Sequence, residues 1–589
     1  MVEIKRLYDL LAFQKDHAPG INIFSYKENG NWVGVSTENF MQRVDTISKG
    51  LIAAGVKPND KVALISENRL EWNLLDFAIQ QTGAVVVAIY PNISDNDYRF
   101  ILNDAEIKLC FVSNDNLFQR LLAIKDEIPT VENVYTLNIY PQLPNWSEMV
   151  VKGTSITDEQ LNAAKDAVQT TDLATLIYTS GTTGTPKGVM LTHENLLTDV
   201  LSSEYSFPVI KYDKALTFLP SCHAYERVFQ YVYIKIGNPI YYAQSIDTLG
   251  EDMKDVQPQI FSAVPRVLEK VYEKIMATGE SLTGIKRALF FWAIRLGEKY
   301  ELDESQFSAW YRFQLKLARK LIFSKWQEAL GGKIKGIASG SATLQTRLLR
   351  LYLAAGIPIY EGYGLTEAGP CLSVNCIKRG IKIGTVGIPL INMEIKLAED
   401  GEVLAKGDNI MVGYYKNPEA TAEVLKDGWL HTGDIGEWDG KFLKIIDRKK
   451  EMFKTSGGKY VVPQQIEAKM SESSWIEQIM VVGEGQKFPA ALIVPAYDKL
   501  AEWLKSTGET ITSWNREDLL KNIKIKEKIM SEVNRINGNF GNWERIKDFR
   551  LLPQEFSIET GELTPTLKIK RKIIEQKYQQ LIEQIYAKA

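Results

Sequence analysis

The chain has 589 residues, 45% of them apolar and 24% charged, which is ordinary for a globular protein but too long for one core; about three to four domains or subdomains are expected. A formal net charge of −3 excludes a global attraction to nucleic acid or to an anionic surface. Four cysteines, Cys110, Cys222, Cys371 and Cys376, are too sparse for a disulfide framework and point to reduced thiols.

The first residues, "MVEIKRLYDLLAFQKDH", carry acids and lack the sustained apolar core of a signal or transit peptide. No run reaches the roughly 18 apolar residues of a spanning helix, so the expectation is a cytoplasmic, soluble protein. Next, "KVALIS" (61–66), the helical "EWNLLDFAIQQTG" and "AVVVAIYP" (84–91) read as strand, helix, strand. The theme repeats in "KLCFVS", "LATLIYT", "KALTFLP", "NPIYYA", "QIFSAVP", "IKGIASG" and "IPIYEGYG". Near-continuous apolar strands with helices between them imply parallel sheets covered on both faces, with ligands beyond the carboxyl ends of the strands.

After "LATLI" comes "YTSGTTGTPKGV" (178–189), a strand followed by a loop dense in glycines, hydroxyls and a lysine. Its core, "GTTGTPKG", departs from the Walker A pattern: Pro186 replaces the second glycine and Gly188 the metal-binding hydroxyl. Thr179, Ser180, Thr182, Thr183 and Thr185, with Gly181 and Gly184, offer hydroxyl and backbone donors to phosphate oxygens without the ordinary P-loop magnesium ligand.

Residues 266–330 read as helices, with Ile285, Leu289, Trp292 and Leu296 at helical spacing and Trp310, Phe313 and Trp326 adding aromatic bulk. They are either covering helices packed on the core or a membrane-surface element that delivers a lipid substrate. From about 394 the texture changes to short strands and turns, "MEIKLAEDGEVLAKG" and "KFLKIID". Beyond "DRKKE" (447–451) lies a smaller α+β segment with a hairpin, "IEQIMVVGEGQKFPAALIVPA", and a basic helix from 568. The fold class expected is α/β. It comprises a large N-terminal domain (1–447) with two parallel-type βα sheets and a β-rich subdomain, a hinge at 448–451, and a small mobile α+β domain (452–589).

"YTSGTTGTPKGV" resembles the signature loop of the adenylate-forming superfamily: acyl-CoA synthetases, nonribosomal-peptide adenylation domains and firefly-type luciferases. Further motifs follow in the family's order over roughly residues 30–575. The resemblance implies that "EGYGLTEAGP" (361–370) holds nucleotide and magnesium. Tyr363 would stack on adenine beside Gly364, Thr366 would contact the α-phosphate, and Glu367 would hold Mg2+. It also implies that Gly340, Ser341 and Ala342 of "SGSAT" run along the adenine, and that Asp434 of "HTGD" and Arg448 of "IDRKKE" bind the ribose. Lys568, in "GELTPTLKIKRK", aligns with the lysine that reaches the acyl carboxylate and the α-phosphate. Here Leu567 replaces the glycine that many members carry before that lysine. Lys187 falls to a secondary role among the ATP contacts.

The implied chemistry joins a carboxylate to AMP and then hands the acyl group to a thiol. The small domain turns between the steps about Lys450, and Gly457 and Gly458 of "TSGGKY" line the thiol tunnel. His223 of "LPSCHAYER" would lie near the acyl entrance, with Gly362 beside the acyl group. "PRVLEKVYEKI", "FFWAIRLGEKY" and "GTVGIPL" resemble the long-chain fatty acyl-CoA synthetases. The substrates implied are a fatty acid, ATP and CoA, with Mg2+ as cofactor. The alternatives are a stand-alone fatty acyl-AMP ligase that loads a carrier protein, and a medium-chain or aryl acid CoA ligase.

Overall fold

The computed structural model describes residues 3–180, 185–507, 515–558, 560–564 and 568–587. The apolar runs become strands whose alternate side chains enter different cores, the period of two expected of a pleated strand. In Lys61–Ile65, Val62 and Leu64 face one core while Ala63 and Ile65 face another. Val85–Ile89 divides the same way, with Val86 and Ala88 on one side and Val85, Val87 and Ile89 on the other. A strand wet on one face would alternate apolar with polar; these do not, because both faces are covered.

The chain forms two compact units, Met1–Lys396 with Leu404–Thr432 and Trp438–Lys444, and Leu397–Val403 with Gly433–Glu437 and Ile445–Ala589. The division runs through the strands Trp429–Asp439 and Phe442–Arg448.

The larger unit holds two sheets. The seven-stranded sheet runs in the order Gly413–Tyr414, Pro186–Thr192, Leu173–Ser180, Val85–Ile89, Lys61–Ile65, Ile107–Val112, Asn133–Thr136. The nine-stranded sheet runs Ile388–Pro389, Ser373–Val374, Ile359–Tyr363, Gly336–Ser339, Ile260–Ala263, Ala215–Thr217, Ile240–Tyr242, Asn22–Glu28, Asn31–Ser36. Both are parallel at their centres; the nine-stranded sheet is antiparallel at both edges and the seven-stranded sheet at one, its Asn133–Thr136 edge being parallel. The helices Leu70–Gln81, His193–Ser203 and Ala224–Ile236 share one core with inward residues of both sheets.

Two antiparallel hairpins lie outside the sequence reading. Asn22–Glu28 pairs with Asn31–Ser36, and Leu173–Ser180 folds back on Pro186–Thr192. In the segment 266–330, the helix Gly284–Gly297 buries Phe290, Ala293, Ile294 and Leu296, while Ile285 is 80% exposed. Of the expected stripe, Leu296 is buried and Leu289 and Trp292 are half-buried, Trp292 against the core, while Ile285 at its start faces outward. Trp326 is buried, but Trp310 and Phe313 face outward.

The smaller unit is built on the expected hairpin. Ile476–Val482 runs antiparallel to Ala490–Pro495, which runs parallel to Asp548–Leu551. The helices Pro463–Met470 and Ile523–Asn537 pack into its core through Ile466, Met470, Ile525, Ile529 and Val533. The basic helix begins at Arg571, not at 568. Lys568 precedes it in a loop closed by the bridge Leu563↔Ile569.

Candidate active site

Several expected site residues gather at the carboxyl ends of strands in the larger unit. Residues 181–184 of the phosphate loop, hence Gly181, Thr182, Thr183 and Gly184, lie outside the described residues. Their frame is described: the loop joins two antiparallel strands registered Thr179↔Lys187 and Ser180↔Pro186. A Walker loop leads from a strand into a helix; this one returns along the same sheet.

On that returning strand a third is laid, with Gly413↔Met190 and Tyr414↔Val189. The Tyr415 N–H donates to the Gly188 carbonyl (2.8 Å) and the Val412 N–H to that of Met190 (3.1 Å). This register places the Tyr414 ring centroid 5.0 Å from the Lys187 Nζ, within cation–π reach. The Tyr414 hydroxyl donates to Glu367 Oε1 at 2.8 Å. Lys187, Tyr414 and Glu367 thus form one line from the phosphate hairpin to the proposed metal carboxylate.

Thr366 and Glu367 sit in the short 3-10 turn Thr366–Ala368. The Asn409 amide donates to the carbonyls of Ala368 and Cys371, both at 2.8 Å, and the Met411 N–H donates to the Glu367 carbonyl at 2.9 Å. Asn195, in the capping box of the helix His193–Ser203, donates to the carbonyls of Asp408 and Ile410 at 2.7 and 2.9 Å. The buried Asp199 of the same helix accepts from the Cys371 N–H at 2.6 Å, and burial raises its carboxyl to about 8. Gly364 admits no side chain, since a Cβ there would lie 1.9 Å from the Pro370 carbonyl oxygen.

Tyr363 ends the strand Ile359–Tyr363 and is half-buried; Gly362 beside it pairs with Val374. Gly340 and Ser341 follow the end of the neighbouring strand Gly336–Ser339, with Ser341 at φ +67° and Ala342 exposed. A non-glycine residue in the left-handed region is uncommon and gathers at ligand sites. A Cβ on Gly340 would lie 2.9 Å from the Tyr225 ring.

Three buried polar atoms here have no hydrogen-bond partner: Ser339 Oγ, Glu361 Oε2 and Tyr225 Oη. Ser339 and Glu361 are register partners on adjacent parallel strands. Burial raises the Glu361 carboxyl to about 8, opposed by a hydrogen bond from the Leu344 backbone. Orphaned buried polar atoms are costly unless a ligand or water completes them. Their place at the edge of "SGSAT" and Tyr363 fits a polar heterocycle such as adenine.

His223 caps the helix Ala224–Ile236, its Nδ1 accepting from the Tyr225 N–H at 3.1 Å. The next turn is a buried polar network. Glu226 accepts from Thr217 and Ser262, and burial raises its carboxyl to about 7. Arg227 pairs with Asp76 and donates to Tyr231 (2.9 Å) and to the Thr175 hydroxyl (2.7 Å) on the strand that leads into the phosphate loop.

Among the described residues no group of three or more His, Cys, Asp or Glu side chains forms a metal cage. A lone carboxylate at Glu367 suits Mg2+, which commonly takes one or two protein carboxylates and fills its shell from phosphates and water.

"HTGD" lies within the strand Trp429–Asp439, where the chain passes from the larger unit at Thr432 to the smaller at Gly433, whose φ is +72°. Asp434 is buried, and its Oδ1 lies 3.3 Å from Arg448 Nε. Lys449 is committed to Asp400 (2.5 Å) and Glu402 (3.0 Å), while Lys450 is exposed in the following turn. Burial raises Asp447, whose Oδ1 accepts from the Arg448 N–H, to about 7. In "TSGGKY" the left-handed residue is Gly458 (φ +73°), and a Cβ at Gly457 would meet only Thr455 Oγ1, at 3.9 Å.

Lys568 is exposed and held by its backbone: its N–H donates to Thr564 Oγ1 (3.0 Å) and its carbonyl accepts from the Thr564 N–H (2.8 Å). The loop base is tied by Glu562, which accepts from Lys577 at 2.9 Å. Arg571 is anchored to Glu467 (2.5 Å) and Glu451 (3.3 Å).

Sequence reasoning missed Tyr414, Asn409, Asn195, Tyr225 and Glu361. For Glu361 a signal was present, a carboxylate inside the otherwise apolar strand "IPIYEGYG".

A family model described as AMP-binding enzyme matches residues 14–415, and one described as AMP-binding enzyme C-terminal domain matches 451–589. The chain is 34% identical over 576 residues to long-chain-fatty-acid–CoA ligase FadD15 of Mycobacterium bovis, covering 97% of this chain and 95% of that protein. It is 32% identical to human long-chain-fatty-acid–CoA ligase 1, covering 96% and 84%. Among solved structures, the adenylation domain of a carboxylate reductase from Mycobacterium chelonae superposes with a TM-score of 0.75 at 21% identity, over 99% of this chain and 91% of that one.

Proposed function

The chain belongs to the AMP-binding enzymes, and from that premise we propose that it is a long-chain-fatty-acid–CoA ligase working in two half-reactions. In the first, a fatty-acid carboxylate oxygen attacks the α-phosphorus of ATP, forming acyl-AMP as the P–O bond to pyrophosphate breaks. In the second, the CoA thiolate sulfur attacks the acyl carbon and AMP leaves, its phosphate oxygen taking the bonding electrons.

The observation that carries the reading is the line Lys187–Tyr414–Glu367. Repulsion between a carboxylate and a triphosphate is the chief obstacle to the first step, so donors and positive charge preset at the phosphates do most to lower it. Thr179, Ser180 and the loop residues Gly181, Thr182, Thr183 and Gly184, with Lys187, hold the departing pyrophosphate. Thr366 donates to the α-phosphate. Glu367, aligned by Tyr414, would hold Mg2+, which supplies positive charge when bound. Tyr363, Gly364, Gly340, Ser341 and Ala342 receive the adenine, and Asp434 with Arg448 the ribose. Lys568 neutralises the acyl carboxylate and the α-phosphate. Lys450 is the hinge about which the small domain, residues 452–589, turns after the first step. Gly457 and Gly458 then line the thiol path, while His223 and Gly362 border the acyl group. The protein is read as cytoplasmic, with peripheral membrane contact through residues 266–330.

The test is thioester formation from ATP, CoA and a chain-length series of fatty acids, with nucleotide products separated. AMP with long-chain acyl-CoA is expected. ADP as product overturns the reaction class, and transfer to a carrier protein but not to CoA overturns the acceptor.

A further inference from the structure

The helix Ala309–Ala318 continues through the π-turn Arg319–Phe323 into Ser324–Ala329. Its inner side is core: Leu315, Ala318, Phe323 and Trp326 are all buried. Its outer side is not the polar face a surface helix normally shows. Trp310 is 65% exposed, Phe313 59%, Leu317 37% and Leu321 45%. Their spacing of three, four and four residues sets them in one stripe. The Trp310 and Phe313 rings stack with centroids 5.6 Å apart. Fixed in that pair, the two rings form one exposed aromatic patch.

The charges from Trp310 to Lys325 have one sign; the next acid along the helix, Glu328, pairs with Lys325 at 2.9 Å. Residues 305–327 contain Arg312, Lys316, Arg319, Lys320 and Lys325 and no acid, in a chain whose net charge is −3. Arg319 turns inward, donating to the Ala354 carbonyl at 2.9 Å, but Arg312, Lys316, Lys320 and Lys325 are exposed. An apolar stripe flanked by cations suits a boundary that is hydrocarbon below and anionic above. A protein groove would have to match the stacked ring pair in shape. A second copy would bring like charges together.

We propose that the face formed by Trp310, Phe313, Leu317 and Leu321 docks on a bilayer surface rich in anionic phospholipid. The rings and leucines enter the headgroup–acyl boundary, and Arg312, Lys316 and Lys320 meet lipid phosphates. No described helix is long and apolar enough to cross a membrane, so the contact is in the plane of the surface. The proposal deepens, and rests on, the reading of the chain as a ligase for a membrane-partitioning acyl substrate.

The test is co-sedimentation of the full chain with vesicles of phosphatidylcholine alone and of phosphatidylcholine mixed with phosphatidylglycerol, at low and high salt. The protein is expected to bind the mixed vesicles more tightly, and less so in high salt. Two double variants are compared, Trp310→Ser with Phe313→Ser, and Lys316→Glu with Lys320→Glu. Because all four side chains are exposed, both variants should melt as the parent does and form acyl-CoA from detergent-dispersed fatty acid at the parent rate. Binding to mixed vesicles should fall at least about tenfold in each, the first through lost apolar burial and the second through lost attraction. Parent-level binding by both variants overturns the proposal, as does an unbound parent. A change of oligomeric state with vesicle binding untouched overturns it in favour of contact between copies. Vesicle binding without thioester formation sinks the ligase reading and leaves the docking face standing.

Discussion

Tyr414→Phe removes one oxygen and leaves the ring. The ring still packs at the edge of the phosphate hairpin and still faces Lys187 at 5.0 Å, so the loss is confined to the 2.8 Å hydrogen bond to Glu367. A hydrogen bond to a charged group contributes about 1.5–3 kcal/mol. Glu367 is only half-buried, so water can replace part of the donor and the loss falls to or just below that low end, about 1–1.5 kcal/mol. At 1.4 kcal/mol per factor of ten, the adenylation step should slow roughly 5- to 12-fold. The assay is pyrophosphate release with saturating fatty acid, titrated with Mg2+. The variant should need more metal to reach half its maximal rate, because the carboxylate is no longer held. Thioester formation from supplied acyl-adenylate should be unchanged. Tyr414→Leu, which also strips the ring from Lys187, should lose more. Parent-level rate and metal dependence in Tyr414→Phe would refute the role given to this line, and equal loss in both half-reactions would point to general damage.

Lys568→Ala should abolish adenylate formation yet largely spare thioester formation from supplied acyl-adenylate; matched losses contradict its assignment. Lys450→Pro should stall the thiol step more than adenylation, as compared by single-turnover kinetics of each half. Asp434→Ala should raise the KM for ATP, both by losing its own carboxylate and by releasing Arg448 from their 3.3 Å pair; an unchanged KM removes Asp434 from the ribose contacts. Glu361→Gln tests the buried carboxyl. Its pKa is about 8 in the folded chain against an ordinary 4.5. Between those values the folded state keeps a proton that the unfolded chain has released, so this group lowers stability as pH rises. Glutamine has no such proton. The variant's melting point should match the parent's near pH 4.5, exceed it increasingly toward pH 8 and level off above that, with a ceiling on the order of 4 kcal/mol. A difference that does not change with pH rules out a neutral carboxyl at this position.

How much of this was legible in the sequence depended on distance along the chain. "KVALIS" and "AVVVAIYP" announced buried parallel strands because each face meets its own core. The returning strand Pro186–Thr192 did not, because it opens on Pro-Lys-Gly, which reads as loop until a neighbour supplies the ladder. In the helix Gly284–Gly297, periodicity placed Leu296 inward correctly but also Ile285, which faces outward; Phe290 and Ile294 complete the inward face. At the site, Tyr363, Thr366 and Glu367 are close in sequence and could be read together. Tyr414 acts on Glu367 from 47 residues away and Asn195 on Ile410 from 215. Such roles arise from strand register and helix caps that no local pattern displays.

The Arg227 guanidinium gives the larger unit a property that matters to anyone reshaping it. It binds Thr175 at 2.7 Å, and Thr175 in turn donates to the Val86 carbonyl at 2.7 Å. The helix that His223 opens is thereby bolted to the strand that delivers the phosphate loop. With His223 and the 181–184 loop in their proposed roles, substrate preference and nucleotide handling are not separable modules. A graft that changes residues 219–236 to accept a different acid must carry 173–180 and Asp76 with it, or the transplanted helix will pull the nucleotide side out of true. Recombination between relatives should tolerate crossovers on either side of this bolt far better than crossovers that split it.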